Sequence, residues 1–340
     1  MADESAAAAF PWSFVPAPAP GERRADYFSW PETIVGDLRW PYFAVCGREP
    51  GPAVAIVAGI HGGEYPGPLG ALRLGRELDP ATVRGSLLIL PLVNLTSFWG
   101  RQAFVTPEDR RNLNRVFPGK VDGTFSEVLA WRLMADVLMP ADAVLDLHSG
   151  DIFEALADHT GRYLSGDAEQ DARSGAMAAA FGLPYDLVWP RPTNPGGLTG
   201  NTTLRGKASL LVEVGGNGLA SATDEENVYN GLVNTLRVLG TLPGAVTPGT
   251  PRPASHGAGI VAPATGLWRA AVALEQQVAA GDLLGTLTDP LGNEIARITA
   301  PVAGMVLYYM TSLAVQEGDP LATLAVLGGE GFRFRDWNPG

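Results

Sequence analysis

Residues 53–67, AVAIVAGIHGGEYPG, decide the fold, because they join a buried strand to a histidine and a glutamate at its end. A run of small and β-branched apolar residues is typical of a strand covered on both faces, and the glycines after it favour a tight turn into a helix. His61 and Glu64 would then lie at the carboxyl edge of a sheet, where open α/β folds bind their ligands. Several hydrolytic zinc enzymes use two histidines, one glutamate and an open fourth position. A further histidine is therefore required.

The chain has four histidines, so the search for that ligand is short. His148 ends the apolar stretch AVLDLHSG at residues 143–150, in the same setting as His61. Because parallel strands joined by helices bring their carboxyl ends together, these two histidines can meet at one metal ion. Asp146 lies two residues earlier, on the same side of the strand, where it could support the site or its ligand. The remaining histidines are predicted to be ordinary surface residues: His159 and His256.

A third apolar stretch, SLLVEVGG at residues 209–216, carries Glu213 inside a hydrophobic run. A carboxylate in that position is costly unless it is paired or used. Close to a zinc-bound water it could act as general base and then as general acid towards a leaving amine. A buried ion pair with an arginine is the structural alternative. Three separate apolar strands each end in a residue type that zinc hydrolysis requires, so we favour catalysis.

The stretch RRNLNRVFPG, residues 110–119, concentrates arginine and asparagine in an otherwise acidic chain. Such a run is usually a solvated face, but the arginine fork also suits a carboxylate, and asparagine can hold one beside it. Asn114 with Arg115 could therefore anchor an acidic group on a substrate. Three other arginines could steady a tetrahedral oxyanion, and the sequence does not choose among them: Arg101, Arg110 and Arg111.

Four motifs occur in a fixed order, GIHGGE, NLNRVFPG, DLHSG and VEVGG. Together they resemble the succinylglutamate desuccinylase/aspartoacylase family, which belongs with the zinc carboxypeptidase-like hydrolases, and the resemblance covers roughly residues 50–220. It implies one zinc ion per chain, with these ligands: His61, Glu64 and His148. It also implies Glu213 as the catalytic carboxylate and Asn114 and Arg115 as binders of a substrate carboxylate.

The resemblance extends to the oxyanion and to the substrate pocket. The family places its oxyanion arginine a little upstream of the Asn-Leu-Asn-Arg motif, which makes Arg101 the first choice here, and Arg111 is a candidate for substrate binding. Relatives supply further substrate contacts between the second histidine and the catalytic glutamate, where Arg205 is the available counterpart. The implied fold is a carboxypeptidase-like mixed sheet with helices on both faces.

The function implied is zinc-dependent hydrolysis of the amide bond of an N-acyl amino acid or a related small carboxylated amide. Two alternatives stay open, because the same zinc chemistry cleaves peptides: a carboxypeptidase acting on short peptides, and a catalytically silent metal-binding protein. Manganese, iron or cobalt could also occupy the same ligands.

Composition agrees with an enzyme of small molecules. The chain has 340 residues, 46% of them hydrophobic, with 24 basic against 36 acidic residues and a net charge of −12, which argues against nucleic acid as a partner. No apolar stretch reaches the ~18 residues of a membrane span. An acidic start unlike a secretory signal and a single cysteine, Cys46, predict a cytoplasmic protein.

The chain is predicted to divide into five segments: an Ala/Pro-rich arm (1–28), a hydrolase domain (29–245), a linker (246–256), a β domain (257–330) and a tail (331–340). The arm is expected to be loosely ordered or to form a strap over a neighbour. The β domain resembles the flattened β-sandwich of biotinyl and lipoyl carriers, but no lysine follows Lys207, which excludes a carrier role. We expect it to wall the cleft or to mediate homo-oligomer contacts. Packing is favoured over a cleft position for Tyr308 and Tyr309.

Overall fold

A large mixed sheet runs through the computed structural model, which describes residues 8–328. The strands are β1 (Glu22–Phe28), β2 (Trp40–Cys46), β3 (Glu49–Ala58), β4 (Arg84–Leu90), β5 (Ala143–His148), β6 (Glu154–Leu156), β7 (His159–Tyr163), β8 (Tyr185–Trp189), β9 (Ala208–Glu213), β10 (Arg252–Val261), β11 (Gly266–Ala270), β12 (Gln277–Val278), β13 (Leu283–Thr288), β14 (Glu294–Thr299), β15 (Gly304–Met310), β16 (Ala314–Val315) and β17 (Pro320–Leu327). The α-helices are α1 (Pro66–Glu77), α2 (Leu95–Gly100), α3 (Phe125–Arg132), α4 (Ala168–Phe181), α5 (Leu198–Leu204) and α6 (Ala222–Val238). Short 3-10 helices cover Pro80–Thr82 and Leu113–Arg115, and a π-helical segment, Leu133–Leu138, extends α3. Within residues 8–328, none of the helices has the length and apolar character needed to cross a bilayer.

The predicted α/β fold is confirmed, and its strand order explains where the polar residues meet. The 13-stranded sheet has the order β1-β2-β4-β3-β5-β9-β7-β8-β10-β17-β15-β12, with β6 pairing β15. Strands β4, β3, β5 and β9 are parallel neighbours, whereas β7 runs antiparallel to β9. In this register Asp146 pairs with Val57 of β3, and His148 pairs with Glu213 of β9. The carboxyl ends of β3, β5 and β9 therefore lie at one edge of the sheet.

Both faces of the central strands are buried, as the uniformly apolar sequence of β3 predicts. Alternate residues of β3 belong to two different hydrophobic clusters: Ala55 and Val57 contribute to one, and Val54 and Ile56 to the other. Helices α1, α4 and α6 cover the second cluster, and α3 with its π-helical extension covers the first. Helices thus lie on both faces of the sheet.

The described part of the N-terminal arm is a strap rather than a loose segment. Trp12 is 1% exposed, and its indole N–H donates a hydrogen bond to the carbonyl of Val137 at 2.8 Å. Phe28, Trp30 and Trp40 belong to the same cluster and pack against one another, and residues Glu22–Phe28 form the edge strand β1. The arm therefore closes one face of the core.

The C-terminal β region continues the large sheet. Strand β10 begins at Arg252 and pairs in parallel with β8, so the second half of the predicted linker at 246–256 is strand and only 246–251 can act as a connection. A separate antiparallel sheet, β14-β13-β11-β16, packs over a core that includes Trp268 and Leu287. The predicted tail at 331–340 lies outside the described residues. The division into hydrolase and β domains stays a prediction.

Candidate metal centre and active site

His61 and Glu64 lie in the turn between β3 and α1, and the glycines between them are required by space. A Cβ on Gly62 would overlap the backbone carbonyl of Ser97, and a Cβ on Gly63 would overlap the carboxylate of Asp151. Only glycine allows the turn to pack this closely, which holds both polar side chains over the sheet edge. His61 and Glu64 are 7% and 3% exposed.

The structure brings His61, Glu64 and His148 together, with ligand-type atoms that all lie within 4.8 Å of one another. The Glu64 carboxylate bridges the two rings: Oε1 lies 2.6 Å from Nδ1 of His61, and Oε2 lies 2.8 Å from Nδ1 of His148. The other nitrogen of each ring, Nε2, contacts a second side chain. Nε2 of His61 lies 3.1 Å from Oδ1 of Asn112, and Nε2 of His148 lies 3.0 Å from Oδ1 of Asp146.

These contacts decide which ring nitrogens are available to a cation. Amide and carboxylate oxygens only accept hydrogen bonds, so a proton on Nε2 of each ring would satisfy Asn112 and Asp146 and would leave the Nδ1 lone pairs for a cation. The lone pairs of Nδ1 and the Glu64 oxygens then face one another, which is stable only with protons or a metal ion between them. Burial opposes ionisation, yet the imidazoles of His61 and His148 lower the pKa of Glu64, and Asp146 and Glu64 raise the pKa of His148 against its burial. The donor set fits a divalent metal ion.

Glu213 lies in one row of side chains with two histidines from neighbouring strands. It pairs with His148 of β5 on one side and with His159 of β7 on the other, so the three side chains share a face of the sheet. Its Oε2 is buried and has no hydrogen-bond partner within residues 8–328. Burial raises the pKa of Glu213 well above its usual range, and the carboxylates of Glu64 and Glu154 raise it further. Such a group binds a proton more tightly than an ordinary glutamate does, which suits proton transfer.

A cavity of about 560 Å³ opens in front of these residues. Asn114 and Arg115, the predicted binders of a substrate carboxylate, line it. Asn114 is held by its own contacts, because its Oδ1 accepts a hydrogen bond from the backbone N–H of Leu198 at 2.8 Å. Arg115 is exposed, and one of its guanidinium nitrogens donates to the carbonyl of Asn114. No ion pair of Arg115 forms within the described part of the chain, which leaves its outer face open.

Four further lining residues were not predicted to be there: Glu154, His159, His256 and Tyr308. The surface prediction for His159 is wrong, because β7 is an internal strand and the side chain is 4% exposed. His256 is exposed, but it belongs to β10 rather than to a linker and so reaches the cavity. Tyr308, for which packing was favoured, enters through the pairing of β15 with β6. Only the alternation in HTGRY, residues 159–163, signals a strand that could present His159.

Two arginines predicted as site residues, Arg101 and Arg111, are exposed and lie outside the cavity lining, and their roles stay predictions. Arg101 is exposed at the end of α2, where a left-handed backbone (φ 51°) turns the chain out of the helix. Arg111 pairs with Glu127 at 3.2 Å. Neither lines the cavity, and Arg110 and Arg205 do not line it either. Among the described residues, Arg115 is the one arginine in the lining.

Comparison with known proteins agrees with this arrangement. The family model for the succinylglutamate desuccinylase/aspartoacylase catalytic domain matches residues 50–239. The N-alpha-acetyl-L-2,4-diaminobutyric acid deacetylase of Halomonas elongata is 30% identical over 82% of this chain and 83% of its own. The product-bound ectoine utilization protein EutE (DoeB) of Ruegeria pomeroyi superposes with a TM-score of 0.83 at 26% identity, over 93% of this chain and 99% of that one. A Rhodobacter sphaeroides succinylglutamate desuccinylase/aspartoacylase gives 0.80 at 27% identity, over 93% and 100%. The chain belongs to the succinylglutamate desuccinylase/aspartoacylase family.

Proposed function

We propose that the protein is a zinc-dependent deacylase that hydrolyses the amide bond of an N-acyl amino acid or a related small carboxylated amide. The observation that carries this proposal is the Glu64 carboxylate between Nδ1 of His61 and Nδ1 of His148, with the unbonded Oε2 of Glu213 one strand away. Nearly every buried polar atom in a folded protein has a partner, so this set calls for a ligand and a reaction.

His61, Glu64 and His148 would hold one zinc ion per chain. When bound, zinc would polarise the substrate carbonyl and lower the pKa of water. Asn112 and Asp146 keep both imidazoles in the tautomer that presents Nδ1, which is the role of such partners in metalloproteins.

Glu213 is the proposed proton-transfer group. It lines the cavity with Oε2 buried, and its raised pKa suits a group that accepts a proton from water and then donates it to the leaving amine. The pairing with His148 fixes its place relative to the proposed metal ligands.

Arg115 and Asn114 would orient the substrate through its carboxylate. A guanidinium can form two parallel hydrogen bonds to a carboxylate, and Arg115 makes no ion pair within residues 8–328 that would compete. Asn114 holds the chain in place through Leu198 and so keeps Arg115 at the cavity wall.

The relatives favour a deacylase over a carboxypeptidase. The Halomonas relative is named as a deacetylase of an acetylated diamino acid, and the match covers more than four fifths of each chain. We also propose that the C-terminal β region forms a second domain that walls the cleft, because Tyr308 of β15 lines the cavity.

The test uses Glu213→Gln beside an exposed control, Glu294→Gln, in the zinc-loaded protein. We expect Glu213→Gln to lower kcat on an Nα-acetyl amino acid by about 10²- to 10⁴-fold while zinc remains bound one per chain. A panel of acetylated amino acids and dipeptides with free carboxyl ends separates a deacylase from a carboxypeptidase. Near-normal turnover by Glu213→Gln, or zinc-loaded protein that hydrolyses nothing in the panel, would refute the proposal.

A further inference from the structure

Glu154 is a cavity carboxylate to which the proposed reaction gives no role. It opens strand β6, and its Oε2 accepts a hydrogen bond from the backbone N–H of Asp151 at 2.9 Å. No lysine, arginine or histidine forms an ion pair with it within residues 8–328. Glu154 is half-buried, and a carboxylate withdrawn from water without a cation is costly, so it is a candidate for binding a positively charged ligand.

The electrostatic surroundings of Glu154 also favour a bound cation. Burial, together with the nearby carboxylates of Glu64 and Asp151, raises the pKa of Glu154 to about 7. The hydroxyl of Tyr308 lies beside it, and burial with the Glu154 charge raises the pKa of that phenol. A positive charge in this part of the cavity would therefore be stabilised.

His159 supplies an independent, uncharged acceptor in the same cavity. Its Nδ1 lies 2.8 Å from the carbonyl of Ala157, which only accepts, so the proton is on Nδ1 and Nε2 carries a lone pair. No group among the described residues bonds Nε2, although the side chain is 4% exposed. Burial lowers the pKa of His159 to about 4, which keeps the ring neutral and its acceptor free at physiological pH.

We propose that Glu154 and His159 form a subsite for a primary ammonium group, and that the substrate is an acylated amino acid whose side chain carries a free amine. An ammonium has three donors and one positive charge, which match a carboxylate, a hydroxyl and a neutral imidazole nitrogen. Arg115 would bind the substrate carboxylate, so each charged group of the substrate would face a cavity side chain of opposite charge. This inference rests on the proposed function and names its substrate class.

The test compares two ligands that differ only in the terminal group: L-2,4-diaminobutyrate and L-norvaline, whose methyl replaces the ammonium. Binding of each to the zinc-loaded protein is measured by calorimetry, and hydrolysis of their Nα-acetyl forms by kcat/KM. We expect the amine-bearing ligand to be favoured on the order of 10- to 100-fold in both measurements. Glu154→Gln, which keeps the shape and an acceptor, should reduce that ratio at least about tenfold, and Glu294→Gln should leave it unchanged.

The two proposals fail in different ways. Equal binding of the two ligands by the unaltered protein overturns the subsite without any variant, and so does a folded Glu154→Gln protein that keeps the full preference. Hydrolysis of acetylnorvaline and acetyldiaminobutyrate at equal rates overturns the subsite but supports the deacylase. Hydrolysis of neither, with the binding preference intact and lost in Glu154→Gln, supports the subsite and overturns the proposed reaction.

Discussion

Removing the carboxylate of Asp146 should weaken metal binding without touching a proposed metal ligand. Asp146 is fully buried, its Oδ1 lies 3.0 Å from Nε2 of His148, and its Oδ2 accepts a hydrogen bond from the hydroxyl of Thr199 at 2.9 Å. A hydrogen bond to a charged group contributes about 1.5–3 kcal/mol, which corresponds to about 10- to 150-fold in affinity. We therefore expect Asp146→Ala to weaken zinc binding by about 10- to 100-fold.

Two milder variants of the same contact give a graded series. Asp146→Asn keeps an oxygen towards His148 but loses the charge, so its loss should be about tenfold. Thr199→Val leaves the carboxylate and removes one neutral donor, and its effect should stay within about threefold. Affinity is measured by competition with a zinc-binding fluorophore at neutral pH, and folding by circular dichroism. Folded Asp146→Ala protein that binds zinc within about twofold of the unaltered protein would refute the reasoning.

Three more predictions follow from other parts of the molecule. Arg115→Ala should raise KM by about 10- to 100-fold for a substrate with a free carboxylate and far less for the methyl ester of that substrate. Equal increases in KM for both substrates would exclude Arg115 as the carboxylate binder. Trp12→Ala should lower the free energy of unfolding by about 3–5 kcal/mol in urea titrations, whereas Trp99→Ala, at a side chain 68% exposed, should change it by less than about 0.5 kcal/mol. Glu154 has its pKa raised to about 7, so the folded protein retains this proton after the unfolded chain has lost it, and ionisation costs stability as pH rises from about 4.5 to about 7. Metal-free Glu154→Gln should accordingly gain stability relative to the unaltered protein across that range, by up to about 3 kcal/mol. A stability difference that does not change with pH would contradict the cost that we assign to ionising this half-buried carboxylate.

Several residues of the proposed active site could be predicted from the sequence, because each lies at the end of an apolar strand. His61, His148 and Glu213 follow or close runs that can only be central strands, and parallel strands must bring those ends to one edge. The arginines show the opposite case. Arg101 and Arg115 have the same side chain and lie in the same connection between α2 and α3. The chain turns outward at Arg101, so Arg115 lines the cavity and Arg101 does not.

The sequence by itself determined the α/β class, the convergence of two histidines and a glutamate, and the position of a second carboxylate, Glu213, since all of these depend on strand ends that local hydrophobic patterns mark. Only the tertiary structure decided the rest of the cavity. His159 reaches it because β7 inserts antiparallel beside β9, and Tyr308 reaches it because β15 pairs with β6 across some 150 residues of chain. A local pattern can signal a strand, but it does not say which distant strand it pairs with, so the walls of the cavity, unlike its proposed metal ligands, could be located only in the folded molecule.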